Sequence, residues 1–483
     1  MDQMNILEKQ MVENMENLKK LGVECYKYNF VFTHTIKELI EKQDDFLEKD
    51  IQVKVAGRIV SERKHGKVIF WDIKDQIEKI QLYIKKDIIG EKKFEEIKYY
   101  DLGDIIGVSG KLFKTHSGEL TLFVNEVEIL SKALKPLPEK FHGLKDVEIR
   151  YRKRYLDLIV NDESKKVFLK RTQIINGIRD FLNSKGFVEV ETPILQPIYG
   201  GAFAQPFVTH HNAHDMTLYL RIANELYLKR LIVGGINRVY EFAKDFRNEG
   251  IDRTHNPEFT QVEFYQAYAD YNDMMELVED MFLKLVPEKK IIYQGKEISF
   301  EKPWNRVDFY ESLNSVVGED LKGSSVEKLK SVAKKFNVDI EGKKTFGKIL
   351  DELFSELVQK KIVQPSFVVN HPIEISPLAR KHREKDGVVE RFEAIVFGME
   401  IGNSFSELND PLDQKERFLK QIEERKLGDV EAFVMDEDYV DALMYGMPPT
   451  GGVGIGIDRT VMLLTDQDSI RDVVLFPLLK PEK

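Results

Sequence analysis

Apolar positions recur along this chain with two different periods, and the places where the period changes divide it. Near residues 4 to 21, Leu7, Met11, Met15 and Leu18 fall on one helical face that closes at Gly22. Such a helix lies on RNA, on a partner or on its own domain; the last is the common fate, because helices gain most of their stability by burying one face. From Ile51 to Leu130 the period drops to two. IQVKVAGRIV, KVIFWDI, KIQLYI, DIIGVSGKLF and ELTLFVNEVEIL are separated by HG, GEKK and SGE turns. These five short strands, with a helical interruption near Lys92 to Tyr99, predict an all-β barrel of the OB type. Lys135 to Gly143, KPLPEKFHG, carries two prolines and reads as a linker. Helical spacing returns with Ile174, Ile178, Phe181 and Leu182, closes at Gly186, and gives way to a strand from Phe187 to Glu191 that breaks at Pro193. Trp304 to Pro365 is again helical, with Phe346, Ile349, Leu350, Leu353, Phe354 and Leu357 on one face. The expected layout is a helical extension at 1–50, a barrel at 51–134, a linker at 135–150 and a second domain at 151–483 with a helical insertion at about 305–365.

Composition narrows the class without choosing a function. The 483 residues are 42% hydrophobic and 32% charged, as in ordinary globular domains. No apolar run approaches the ~20 residues that span a bilayer, so no membrane association is expected. The opening MDQMNILEKQ has no apolar signal segment, and Cys25 is the only cysteine, which leaves no intrachain disulfide and no thiolate cluster. A cytoplasmic protein is expected. A net charge of −10 argues against coating nucleic acid non-specifically, though not against a local patch that reads a few bases.

The densest chemistry lies between Phe246 and Tyr271, FRNEGIDRTHNPEFTQVEFYQAYADY. Arg247, Glu249, Arg253, His255 and Glu258 crowd a segment that Pro257 and Phe259 close, before the alternating Val262, Phe264, Tyr265 and Ala267 with Glu263 among them. Pro257 ends any helix and pushes Asn256 towards extended geometry, which predicts strand, loop, strand. A fixed guanidinium beside a histidine and an aromatic suits a nucleotide; a solvated loop over a core strand fits the same letters. Other candidates are weaker. His210, His211 and His214 lack an acidic or cysteine ligand at a useful spacing for zinc. GKKTFGK, Gly342 to Lys348, nearly matches a P-loop, but Ile349 stands where Ser or Thr should hold magnesium. Glu393 and Glu400 precede IGNSFSELND, and the glycine-rich MPPTGGVGIGIDRTVMLL runs through Arg459 into an apolar helix. It has neither GxGxxG before a helix nor GK[ST].

Taken together, these stretches resemble the class II aminoacyl-tRNA synthetases, and among them lysyl-tRNA synthetase most. Phe246 to Gly250 with His255 to Phe259 is similar to motif 2 of that class, the helix, strand and Pro193 to motif 1, and GxGIDR to motif 3. The resemblance implies an OB-fold anticodon-binding domain followed by an α+β catalytic domain on an antiparallel sheet, acting as a homodimer. It implies that lysine is activated by ATP to lysyl-adenylate, with release of pyrophosphate, and then passed to the 3′-terminal adenosine of tRNA-Lys. Neither step needs an enzyme nucleophile, in keeping with the absence of an obvious one. By the same resemblance Arg247 bridges the α-phosphate and the lysine carboxylate, Glu249 and Asn256 meet the adenosine, and His255 faces the γ-phosphate. Phe259 and Arg459 sandwich the adenine, and Glu393 and Glu400 hold Mg2+. Glu407 and Tyr265 receive the ε-ammonium, Gly201, Glu225 and Glu263 surround the α-amino group, and Asn403 and Phe405 line the stem. In the barrel, spacing alone makes Phe70 a core residue; the resemblance instead has Phe70, Gln81 and Glu119 meet the anticodon bases.

Two positions depart from the family pattern. Ala204-Gln205-Pro206-Phe207 stands where ARPF is usual, and Ala223-Asn224-Glu225 where APE is common. Neither touches an expected substrate contact, so altered affinity or tRNA handling is expected rather than loss of chemistry. Two other readings compete: a relative that passes lysine to a protein, which would lack the barrel, and an inactive RNA-binding regulator, which would carry damage at Arg247, Glu393, Glu400 or Arg459.

Overall fold

The computed structural model describes residues 5–138, 144, 146–426 and 431–482. They form two compact units, Met1–Lys165 and Lys166–Lys483. The end of the expected linker, 139–143 and 145, lies outside the described residues.

In the first unit the helix Ile6–Lys20 starts in a reciprocal cap, Asn5 and Glu8 each accepting the other's backbone N–H, and ends before Gly22 at φ +79°. Leu18 is buried and Met15 half-buried against the barrel core, whereas Leu7 stays exposed. The helix therefore packs on its own domain. Five strands close into the barrel in the order Gln52–His65, Val68–Lys74, Lys79–Lys85, Leu120–Ser131, Ile105–Lys114. Their period-two alternation turns Val55, Ile69, Trp71, Leu82, Ile84, Leu122 and Val124 inward. Closure removes the sheet edges that a five-stranded ribbon would leave open.

The second unit is built on an eight-stranded sheet, counted among the described residues. Its order is Asn305–Asp308, Ser366–Val369, Arg391–Val396, Met399–Ser406, Thr450–Gly456, Glu258–Ala267, Arg238–Phe246, Val188–Glu189. The ladders are antiparallel except at the edges, where Asn305–Asp308 runs parallel to Ser366–Val369 and Val188–Glu189 parallel to Arg238–Phe246. The strand NRVD is too short and too polar for its pattern to announce it. One sheet face is covered by Ile174, Ile178 and Leu182 of the helix Asp162–Ser184, with Val278, Met281 and Phe282 of Tyr271–Leu285 and Val461 and Leu463 of Ile457–Leu464. The helical insertion keeps a core of its own, in which Phe309, Leu313, Leu329, Leu350, Leu353 and Phe354 are buried together.

An ion pair between the half-buried Arg171 and the buried Asp458 ties the helices on the main sheet to its open face. Asp458 accepts from the Thr260 backbone N–H at 2.7 Å and from Arg171 at 2.6 Å, and Arg171 also donates to the Thr260 hydroxyl and the Val473 carbonyl. Thr260 follows Phe259 and Asp458 precedes Arg459, so one carboxylate joins the backbone segments that carry those two side chains. Replacing Asp458 by alanine strands a half-buried guanidinium and a buried N–H, and is expected to lower the stability of the second unit by about 1–3 kcal/mol. Urea unfolding followed by far-UV circular dichroism checks this; a loss below about 1 kcal/mol would contradict it.

Candidate active site

Three neighbouring strands build the floor of the site. Tyr265, Gly452 and Phe405 lie in register, as do Glu263, Gly454 and Asn403 one pleat away. Because side chains alternate along a strand, Gln261, Glu263 and Tyr265 share a face with Asn403 and Phe405. Two glycines separate the two sets of side chains, leaving a trough between them. A Cβ on Gly452 would stand 2.1 Å from Glu407 Oε1 and 2.3 Å from Tyr265 Cε1, so the close approach requires glycine here. A cavity of about 520 Å³ opens over this face, and every residue expected at the catalytic end lines it, from Gly201 to Arg459.

At one end of the cavity the charge is acidic. Glu225, Glu263 and Glu407 are buried there with Tyr265. Tyr265 donates its hydroxyl to Glu263 at 2.8 Å, and Gln261 donates its amide at 2.6 Å. Burial pushes the carboxyls of Glu263 and Glu407 well above the ordinary range, Glu225 rises for the same reason, and Glu225 further raises Glu263. One cation offsets them: the fully buried Lys229 pairs with both Glu225 and Glu407 and sits 5.1 Å from the Phe405 ring centre. Burial works against that ammonium, but the two glutamates hold its pKa above the usual lysine value.

The middle of the cavity is the loop between strands Arg238–Phe246 and Glu258–Ala267, the strand–loop–strand its sequence predicts. Arg247 N–H closes the loop on the Pro257 carbonyl at 2.8 Å. Its guanidinium stacks 4.9 Å from the Phe259 ring centre, and the buried Nε has no acceptor among the described residues. Asp252 accepts from the backbone of Thr254 and His255 and faces His255 Nδ1 at 2.8 Å. Arg459 lies 3.0 Å from His255 Nε2, an arrangement satisfied when Nδ1 carries the proton and Nε2 accepts from the guanidinium. Asn256 donates to the Glu258 carbonyl at 2.6 Å, and its own buried side-chain oxygen has no donor among the described residues. Asp245, whose sequence position suggests the edge of a turn, lies instead inside its strand. It is buried 3.1 Å from Arg221, and burial raises it to about 6.

Glu393 and Glu400 stand on the two strands of one hairpin. Arg391 donates to Glu393 at 2.6 Å and to the Asn403 side chain at 3.0 Å, and His371 lies 3.6 Å from the other Glu393 oxygen. Burial opposes ionisation of Glu393, yet His371 and Arg391 beside it hold its carboxyl below the usual range. Glu400 accepts from Arg459 at 3.3 Å; burial and the charge of Glu393 raise it. Two carboxylates that repel across a polyanion site are the hard oxygen donors that suit Mg2+ alongside phosphate oxygens, so this pair fits that ion.

Residues 146–480 match the model of class II tRNA synthetases (D, K and N), and residues 53–130 match the OB-fold nucleic acid binding domain. The chain is 52% identical to the lysine–tRNA ligase of Clostridium novyi (strain NT), with 99% of this chain and 95% of that protein aligned. It is 50% identical to that of Carboxydothermus hydrogenoformans over 99% of each, and 51% identical to that of Thermosipho melanesiensis over 98% and 95%. The chain belongs to the lysine–tRNA ligase family of class II synthetases.

Several side chains that sequence reading passed over belong to this family member's site. Lys229 stands one turn after Glu225, a Glu–Lys spacing that favours pairing on a helix; its contact with Glu407 has no local signal. Arg391 shares a strand face with Glu393. GKKTFGK is not a P-loop: Thr345 caps the helix Phe346–Leu357. Even so, Lys343, Thr345, Gly347 and Lys348 line the cavity together with Asp351. The two departures each make a contact. Gln205 accepts the Asn248 N–H through its backbone carbonyl at 2.8 Å, and Asn224 donates to the buried Glu241 at 3.1 Å.

On the outer face of the barrel in the first unit, Gln81 donates to Glu119 at 3.1 Å and accepts from the Thr121 hydroxyl at 3.0 Å. Phe70 is half-buried rather than core, edge-on to Tyr83 with ring centres 5.3 Å apart, and Arg63 lies 5.9 Å from it. Tyr83 continues to Phe123 and Phe113, so an aromatic row flanks the polar one.

Proposed function

We propose that the chain joins L-lysine to tRNA-Lys in two steps, with the residue roles that follow. The convergence of Arg247 and three buried carboxylates on one cavity carries this reading. A buried acidic end is costly unless cations compensate it, and lysine brings one ammonium at each end of an apolar stem. Glu407 and Tyr265 take the ε-ammonium, while Gly201, Glu225 and Glu263 surround the α-amino group. Phe405 and Asn403 line the stem between them.

ATP lies over the motif-2 loop. Arg247, with a free buried donor, bridges the α-phosphate and the lysine carboxylate and brings two mutually repelling anions together for in-line attack on phosphorus. Phe259 and Arg459 enclose the adenine, Glu249 and Asn256 meet the adenosine, and His255 faces the γ-phosphate. Glu393 and Glu400 would hold Mg2+, which when bound neutralises charge on the phosphate oxygens. The anticodon stacks on Phe70, and Gln81 and Glu119 read its base edges. The protein acts as a cytoplasmic homodimer. Relatives that modify a protein lack the barrel that closes here, and Arg247, Glu393, Glu400 and Arg459 are intact, so neither competing reading has support.

ATP–pyrophosphate exchange with each amino acid, followed by charging of total tRNA, tests the proposal. Exchange with lysine, and charging that fails when the anticodon is altered, is the expected result. Exchange without charging would point to another acceptor, and no exchange at all would overturn the reading.

A further inference from the structure

We infer that Lys229 is a resident counter-ion of the lysine pocket, whose single charge makes the site specific for a substrate with two ammonium groups. The inference rests on the lysine assignment above. Lys229 is fully buried, and its ammonium contacts Glu225 and Glu407, the carboxylates assigned to opposite ends of the substrate. Among the described residues, one ammonium, that of Lys229, pairs directly with the cluster of Glu225, Glu263 and Glu407, while Arg391 acts on Glu225 from farther away. The α- and ε-ammonium groups of lysine match the two carboxylates that Lys229 leaves over, displacing the protons that burial favours there in the empty pocket, while the substrate carboxylate goes to Arg247.

The surrounding charges are committed elsewhere. Arg391 is held by Glu393, Arg221 by Glu241 and Asp245, and Arg230, on the same helix as Lys229, by Asp436 and Asp438. Tyr265 and Tyr439 face the cluster as neutral phenols, which burial keeps protonated. An amino acid with a neutral side chain would leave one buried carboxyl unmatched, and that carboxyl must keep its proton or exclude the ligand. Lys229 is in these terms a positioning and specificity residue: it keeps Glu225 and Glu407 together and sets how much charge the substrate has to bring.

The test is the K229M variant, which keeps the methylene stem and removes the charge. Steady-state exchange should show KM for lysine raised about 100-fold at about pH 8, with kcat and KM for ATP within about threefold of the parent. The gap should narrow to about tenfold at about pH 6, because a proton on the surplus carboxylate replaces the lost ammonium. K229R retains the charge and should show no such pH-dependent gap. If neither variant folds, titration calorimetry of the parent in buffers of different ionisation enthalpy decides. Lysine should bind with release of about one proton more than norleucine. A K229M variant with unchanged KM for lysine, with kcat and both KM values moved together, or with a gap independent of pH overturns the role, as does equal proton release by the two ligands. A parent without lysine-dependent exchange would instead sink the functional assignment.

Discussion

Replacing Arg247 by alanine is expected to lower kcat/KM for lysine-dependent ATP–pyrophosphate exchange by about 10³-fold or more, the scale on which preorganised cations act on phosphoryl transition states. Its guanidinium stacks on Phe259, and the buried Nε finds no acceptor among the described residues. A buried donor left unmatched by the protein is one held for a ligand. The loop itself closes through the backbone of Arg247 and Pro257, which the substitution leaves in place, so the fold should survive. R247K separates charge from geometry: lysine keeps the cation but loses the planar fork, and should recover only part of the rate. Full recovery in R247K would show that a point charge suffices, and an R247A variant within about tenfold of the parent would remove Arg247 from the chemistry.

A single methyl group should have a comparable effect at the other end of the cavity. Alanine at position 452 would place its Cβ among Glu407 Oε1 and the Tyr265 ring, at 2.1 and 2.3 Å. Neither neighbour can yield freely, because Glu407 is paired with Lys229 and Tyr265 with Glu263. The expected result for G452A is a KM for lysine raised about 100-fold or more, with KM for ATP changed little and stability lowered by about 1–3 kcal/mol. Lysine-dependent exchange at graded ATP and lysine concentrations reads both constants. Equal rises in the two would mean that the methyl group disturbs the whole sheet rather than the lysine end.

Much of the fold could be read along the chain. The five alternating runs between Ile51 and Leu130 each became a barrel strand, because period two survives wherever one face is buried. Pro257 and the alternation after it located the motif-2 hairpin. Phe70 shows the limit of such reading. Spacing placed it in the core, but its neighbours Ile69 and Trp71 took the inward face and turned it outward towards Tyr83.

The sequence by itself determined the local half of the site: which residues share a strand face, where the loop bearing Arg247 and His255 begins and ends, and through motif resemblance the family. Only the tertiary structure decided which strands lie side by side. Glu258–Ala267 pairs with Thr450–Gly456, which in turn pairs with Met399–Ser406, and no periodicity records a partner so distant along the chain. That order brings Glu407 to Lys229 and sets Gly452 between Glu407 and Tyr265. It also brings Lys343 and Lys348, which stand out in sequence only as part of a near-match to a P-loop, to the cavity wall. Hydrophobic spacing reports the direction a side chain faces, whereas the charge it meets there depends on long-range pairing that the whole core must stabilise together.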